Sequence, residues 1–274
     1  MDETTRRAWS AAVEANYLTL YRTGCARIRG AELREHAESF VALSGLPLPL
    51  GNAVVRVNWV ATLTTEALRT RIAATLEPFR SRGVPGLWYV WPSSQPTNLG
   101  EALATYGLAH VGDPSAMALD LVNWTANIPP VLGLRIHAVA DPNTHDRWVD
   151  TLIAGFEFAA HTHGAVRALC AMLAGGPPVY QYLGYLRDQP VATATLVRGD
   201  GEAGIYNVAT ISAARGSGIA TAMTATVLRA ARDLGCQTAI LIATAPGEAV
   251  YRGLGFEECC RVGEYVWQPG TVPE

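Results

Sequence analysis

The 274-residue sequence contains no lysine: all 21 of its basic side chains are arginine, against 24 acidic ones. Coding in GC-rich DNA accounts for the bias, yet the absence still limits the chemistry. A Walker-type phosphate loop needs a lysine and Schiff-base catalysis needs an amine, so both are excluded. Cysteine is sparse and odd in number. Cys25, Cys170, Cys236, Cys259 and Cys260 include no CxxC pair and no zinc-ligand spacing with the six histidines. They read as small core residues in a reducing compartment. His161 and His163 stand two positions apart, on different faces if helical, so no metal is expected. No apolar run approaches membrane-spanning length, and the opening MDETTRRAWS lacks the apolar stretch of a signal peptide. The expectation is a cytoplasmic protein with no membrane partner. A net charge of -3 gives no global basic field to draw it to nucleic acid.

What is present is a large apolar fraction, 49% hydrophobic against 16% charged, enough for one large core or two of ordinary size. The pattern predicts amphipathic helices over 8–21 and 31–43, and a break at Gly45-Leu46-Pro47-Leu48-Pro49. A strand over Ala53–Trp59, a helix over Thr65–Ser81 and an aromatic strand over Gly86–Trp91 follow. A short helix over Leu99–Tyr106 and a strand over Ala116–Val122 close this half. The stretch 123–130, ending in Pro129-Pro130, makes the best linker, which divides the chain into domains 1–128 and 131–274.

The second half is sharper. A strand is expected over Leu134–Ala140, and helices over Pro142–Phe156 and Ala165–Leu173. Strands over Val179–Arg187 and Pro190–Arg198 form a hairpin around Asp188-Gln189, and a third runs over Gly204–Ile211. A helix from about Ser217 to Leu234 stops at Gly235. Thr238–Ala243 (TAILIA) is a continuously apolar strand, expected to be buried on both faces and parallel to a neighbour. A short helix over Gly247–Leu254 and strands around Phe256–Arg261 and Gly263–Trp267 complete it.

Chemistry concentrates where Asn207–Ile211 runs through Arg215-Gly216-Ser217-Gly218 into the long helix. The first amides of a helix have no intrahelical acceptor and lie at the positive end of its dipole. Two glycines let main chain approach an anion, so the turn binds phosphate without lysine. A Rossmann fingerprint fails because its third glycine position is Thr221.

The remaining anion-binding pattern, Gln/Arg-x-x-Gly-x-Gly/Ala, is complete as Arg215-x-x-Gly218-x-Ala220. It is followed by the TAILIA strand and Tyr251-Arg252-Gly253-Leu254-Gly255-Phe256. Together these resemble the GCN5-related N-acetyltransferase (GNAT) superfamily, specifically over 179–267 and more loosely from about 131. The resemblance implies an α/β (α+β) fold of two GNAT-like domains, each a mixed, mostly antiparallel sheet flanked by helices. It also implies a cofactor-side set. Val208, Ala209 and Thr210 would pair with a pantetheine arm lying between splayed strands. Arg215, Gly216, Ser217, Gly218, Ile219, Ala220 and Thr221 would form the pyrophosphate turn. Tyr251 matches the tyrosine that protonates the departing coenzyme A sulfur. Thr244 stands where many relatives carry an asparagine, and Ala239 where some carry a glutamate base. The base is therefore not identified; Glu157, His161, His163 and Glu202 are candidates.

Residues 52–122 resemble a worn second copy: Leu99–Leu121 parallels the closing helix–turn–strand, but no Arg-x-x-Gly-x-Gly/Ala turn occurs there. This half is expected to have lost cofactor binding and to support the acceptor site. Trp88, Tyr89 and Trp91 either line that site or form a buried strand. The implied function is acetyl transfer from acetyl-CoA, a co-substrate, directly to an amine of a small molecule or a peptide. The alternative is a non-catalytic acyl-CoA sensor. A monomer or homodimer is expected.

Overall fold

The computed structural model describes residues 1–125 and 128–271; Ala126 and Asn127 of the expected linker lie outside them. In chain order the first elements are α1 (Glu3–Arg27), β1 (Glu32–His36), β2 (Ser39–Leu43), β3 (Asn52–Val57), α2 (Thr65–Arg82) and β4 (Gly86–Val90). Then come α3 (Leu99–Thr105), β5 (Ala109–Gly112), β6 (Ser115–Asp120), β7 (Leu134–Ala138), α4 (Pro142–Phe156) and α5 (His163–Cys170). The last are β8 (Val179–Leu186), β9 (Gln189–Arg198), β10 (Glu202–Thr210), α6 (Ile219–Asp233), β11 (Thr238–Ala243), α7 (Glu248–Gly253), β12 (Glu257–Arg261) and β13 (Gly263–Trp267). Among the described residues no helix is long and apolar enough to cross a membrane.

The strands make two mixed sheets, ordered β1-β2-β3-β4-β13-β5 and β12-β6-β11-β10-β9-β8-β7. Each has antiparallel hairpins on one side and a parallel pair made by a strand–helix–strand crossover: β3 with β4 across α2, and β10 with β11 across α6. The chain divides into two compact units along these sheets, not along the sequence. One holds Met1–Asn16 and Ala116–Cys259; the other holds Tyr17–Ser115 and the chain from Cys260 on. The sequence order therefore places two strands apart from their neighbours. β6 enters the seven-stranded sheet between β12 and β11, and β13 enters the six-stranded sheet between β4 and β5. β6 (SAMALD) is buried along nearly its whole length, as a central strand must be.

Residues 31–43 form the β1–β2 hairpin, paired Glu32↔Leu43 through His36↔Ser39, not the expected helix. Phe40–Leu43 is a continuous apolar run at or below 5% exposure, buried on both faces. A short run of that kind carries no period that separates helix from strand. The β8–β9 turn falls one residue earlier than expected, at Arg187 and Asp188. Both take positive φ (50° and 65°), the twist a two-residue hairpin demands.

In the seven-stranded unit, α6 lays Ile219, Met223, Val227 and Leu228 against Ala194, Leu196, Ala203, Ile205 and Leu241. α4 is opened by Asp141, whose carboxylate accepts from Thr144 N while Thr144 Oγ1 receives Asp141 N. In the six-stranded unit, Leu68, Ile72, Leu76 and Phe79 of α2 pack on Val54, Trp88 and Trp267.

Candidate active site

The β10–α6 turn is built so that a row of donors stays unmade. Gly216 and Gly218 have φ of 76° and 77°, the left-handed region that β-carbons disfavour. Gly218 caps α6 with no side-chain hydrogen bond, and the first backbone bond into the helix runs from Ala222 N to Gly218 O at 3.0 Å. Among the described residues the amides of Gly216, Ser217, Gly218, Ile219, Ala220 and Thr221 have no backbone acceptor. The Ser217 hydroxyl turns away, donating to Ala214 O at 2.7 Å. Six unmade donors at the positive end of a 15-residue helix have the chemistry to receive an anion.

Beside the turn, two parallel strands part. β10 pairs with β11 at Glu202↔Thr238, Ala203↔Ala239 and Gly204↔Ile240, and no further. On its other edge the register with β9 slips between Tyr206 and Ala209, where Asn207 takes φ 54°. Two threonines of β9 hold this bulge: Thr193 Oγ1 donates to Asn207 O at 2.7 Å, and Asn207 Nδ2 donates to Thr195 Oγ1 at 3.3 Å. The bulge turns β10 away from β11 and leaves the β11-facing main chain of Val208, Ala209 and Thr210 without a strand partner. Thr210 is 9% exposed and its buried hydroxyl has no hydrogen-bond partner.

Arg215 shapes the turn. Its Nε donates to Thr210 O at 3.1 Å, its guanidinium reaches Gly155 O at 2.8 Å, and Glu157 pairs with it at 3.2 Å. The side chain thus ties the turn to the end of α4, where Gly155 has no β-carbon because Ala209 occupies that space, 2.8 Å away. Thr244, exposed at the end of β11, accepts Gly247 N and Glu248 N through its carbonyl. Tyr251 sits on α7 with its ring edge-on to Phe256 at 5.9 Å and lying over Gly247. Burial pushes its phenol up to about 12, so the hydroxyl stays protonated at neutral pH.

The candidate bases do not converge. Glu157 caps α4 at φ 56° and pairs with Arg215. His163 contacts Phe158 O at 2.9 Å, and His161 lies in the single turn before α5. Glu202 is buried at the far end of β10, accepting from Asn16 Nδ2 at 3.2 Å; Asn16 also takes the Tyr206 hydroxyl at 2.8 Å. That α1 residue carries no motif, and only the fold brings it to the sheet. Among the described residues no three histidine, cysteine or acidic side chains gather as metal ligands.

Residues 146–256 match the family described as the Acetyltransferase (GNAT) family. This segment is a GNAT domain. It spans α4 to Phe256 and contains the open turn, the parted strands and Tyr251. The family's members take an acetyl group from acetyl-CoA. No curated protein matches the chain. Among solved structures, a GCN5-related N-acetyltransferase from Kribbella flavida is similar in fold at 17% identity and a TM-score of 0.69, covering 93% of this chain and 96% of its own. A functionally unknown conserved protein from Staphylococcus epidermidis gives 13% and 0.68, covering 88% and 95%. A tandem GNAT protein from the clavulanic acid biosynthesis pathway gives 16% and 0.62, covering 92% and 88%. Both sheets thus have GNAT-like folds.

The six-stranded unit repeats the GNAT crossover with its slot filled. Thr64 Oγ1 caps α2 by accepting Ala67 N at 3.2 Å, and residues 58–64 contain no glycine. β3 and β4 pair only at Ala53↔Leu87 and Val54↔Trp88, then part. Here the chain itself enters the gap. Trp91 Nε1 donates to Val55 O at 2.6 Å, Gln95 N to Val57 O at 3.3 Å, and Trp59 N to Gln95 O at 3.1 Å. Trp88 is a core residue, whereas Tyr89 and Trp91 cluster on the opposite face with Tyr17.

Proposed function

We propose that the protein is an N-acetyltransferase that moves an acetyl group from acetyl-CoA directly to an amine of a small molecule, with a peptide amine as the next candidate. The observation that carries this reading is the uncapped, glycine-bearing start of α6 standing beside strands that part after Gly204. In this reading the acyl-CoA-binding domain begins near residue 131. The amides of Gly216–Thr221 hold the pyrophosphate, and the main chain of Val208, Ala209 and Thr210 pairs with the pantetheine arm. The hydroxyl of Thr210, on the same strand, is buried without a partner. Arg215 keeps the turn open through its bonds to Thr210 and Gly155. Thr244 stands at the end of β11 beside the same cleft.

Acetyl-CoA supplies the activated acyl carbon and a thiolate leaving group. The chain's task is to orient that thioester, admit a neutral amine, and return a proton to sulfur. Tyr251 Oη carries that proton. A phenol raised by burial is held in its protonated form until a developing thiolate approaches. The amine gives up one proton to solvent as its bond to the acyl carbon forms, the carbon–sulfur bond breaks, and Tyr251 recovers its proton from solvent, so the products are an N-acetyl amine and coenzyme A thiol.

The test is a melting-temperature titration with acetyl-CoA, coenzyme A and NAD, followed by a thiol-release assay across a set of amines. Ligand at a hundred times its dissociation constant stabilises the folded state by about 2.7 kcal/mol. At about 2–4 °C per kcal/mol the midpoint rises by several degrees. A rise with both coenzyme A ligands and none with NAD is expected; no rise at millimolar ligand contradicts the reading.

A further inference from the structure

The fold sets one buried amide from outside the matched segment against the strand that parts from β11. Asn16 lies on α1, well before residues 146–256, and in the same compact unit as the seven-stranded sheet. It is 0% exposed, and both donors and the acceptor of its side-chain amide are used on β9 and β10. Nδ2 donates to Val197 O at 3.1 Å and to Glu202 Oε1 at 3.2 Å, and Oδ1 accepts the Tyr206 hydroxyl at 2.8 Å. Among the described residues this is the one hydrogen bond to the Glu202 carboxylate. Reversed, the amide would set its oxygen against Val197 O and that carboxylate, so its orientation is fixed. The strands are shaped to receive it. A β-carbon on Gly204 would overlap Asn16 Oδ1, and one on Gly199 would overlap Glu202 Oε1.

The two β10 residues that Asn16 grips stand on either side of the point where the parallel pair ends. Glu202 is the first residue of β10 in register with β11, and Gly204 is the last. Tyr206 is the last in register with β9 before the slip, and Asn207, next along, takes φ 54°. Thr193 and Thr195 hold Asn207 itself from β9. Asn16 holds the residue before it, from a helix. A strand that ran on beside β11 would carry Tyr206 with it, and a hydroxyl bonded to an amide already fixed at Val197 and Glu202 opposes that course. A buried polar network in which the amide is fully bonded favours one arrangement over its neighbours.

We propose that Asn16 is a positioning residue for acyl-CoA binding. Through Tyr206 and Glu202 it fixes the course of β10, and so keeps the main chain of Val208, Ala209 and Thr210 clear of β11. This inference rests on the acyl-transfer reading and extends its machinery to a helix that the family match leaves out. Asn16 acts through its two β10 partners and not on the ligand.

The experiment is calorimetric titration of the intact protein with acetyl-CoA, comparing wild type, Asn16→Leu, Tyr206→Phe and the double variant. The unfolding temperature of each is measured without ligand. Leucine keeps the branched shape of asparagine and none of its hydrogen bonds; phenylalanine removes only the hydroxyl. Each single variant should raise the acetyl-CoA dissociation constant by about fivefold or more. The double variant should bind no more weakly than Asn16→Leu, because the bond to Tyr206 is already gone. A residue serving stability alone would lower the unfolding temperature and the bound fraction and leave the dissociation constant where it was. Wild-type affinity in either folded single variant, or effects that add in the double variant, overturns the role of Asn16 and leaves the acyl-transfer reading standing. Absence of binding by the wild type removes that reading and this inference together. Should Asn16→Leu fail to fold, the dissociation constant of Tyr206→Phe decides the matter.

Discussion

The two crossovers of this chain share a plan and differ in what occupies it. In both, a strand pairs with its parallel partner for two or three residues and then parts from it, and in both the antiparallel edge slips register nearby. At β10–α6–β11 the helix begins on a left-handed glycine and its first amides are unmade. At β3–α2–β4 a threonine hydroxyl takes one such amide, and Trp91 and Gln95 bond to the main chain that the parting exposes. An exposed backbone edge needs partners. One unit supplies them from its own chain; in the other, among the described residues, they stay without a backbone partner. A fold is therefore insufficient to predict a site; what fills the fold's gap decides it.

This contrast can be broken from either side, and the largest effect is expected at the chemistry. Tyr251→Phe should lower turnover by roughly 10²–10⁴-fold while acetyl-CoA affinity holds, measured by thiol release and calorimetry. Because the phenol lies at about 12, turnover should show no alkaline loss from Tyr251 below about pH 10. Next, Gly218→Val forces a β-branched residue into φ 77° and disturbs the anion turn, so acetyl-CoA affinity should fall by about 100-fold or more. Smallest is the filled crossover. Thr64→Ala removes a helix cap and should cost about 1 kcal/mol in denaturant unfolding, with acetyl-CoA affinity unchanged.

The open crossover was legible in the sequence because its signals are local. Gly218 and Gly235 mark the two ends of α6, and TAILIA reads as a doubly buried strand with the same bounds found in the fold. Pro142–Phe156 and Gly263–Trp267 likewise coincide with α4 and β13. What was not legible depends on partners distant in sequence. Nothing in SAMALD or GEYVW says which sheet each joins, and hydrophobic alternation does not encode it. Asn16 reaches Glu202 across 186 positions, and Trp91 meets Val55 only once β3 and β4 have parted. The hairpin at 31–43 was obscured by an apolar run too short to show a period. Arg215 belongs to the motif, yet its guanidinium bonds to the turn's own framework at Thr210 and Gly155, a partition that the spacing does not reveal.

The central claim is that one crossover is open and the other filled, and the stoichiometry of acetyl-CoA binding tests it most directly. Calorimetric titration of the intact protein should give one acetyl-CoA per chain, abolished in Gly218→Val and retained in Thr64→Ala. Two per chain, or one that survives Gly218→Val, would contradict it.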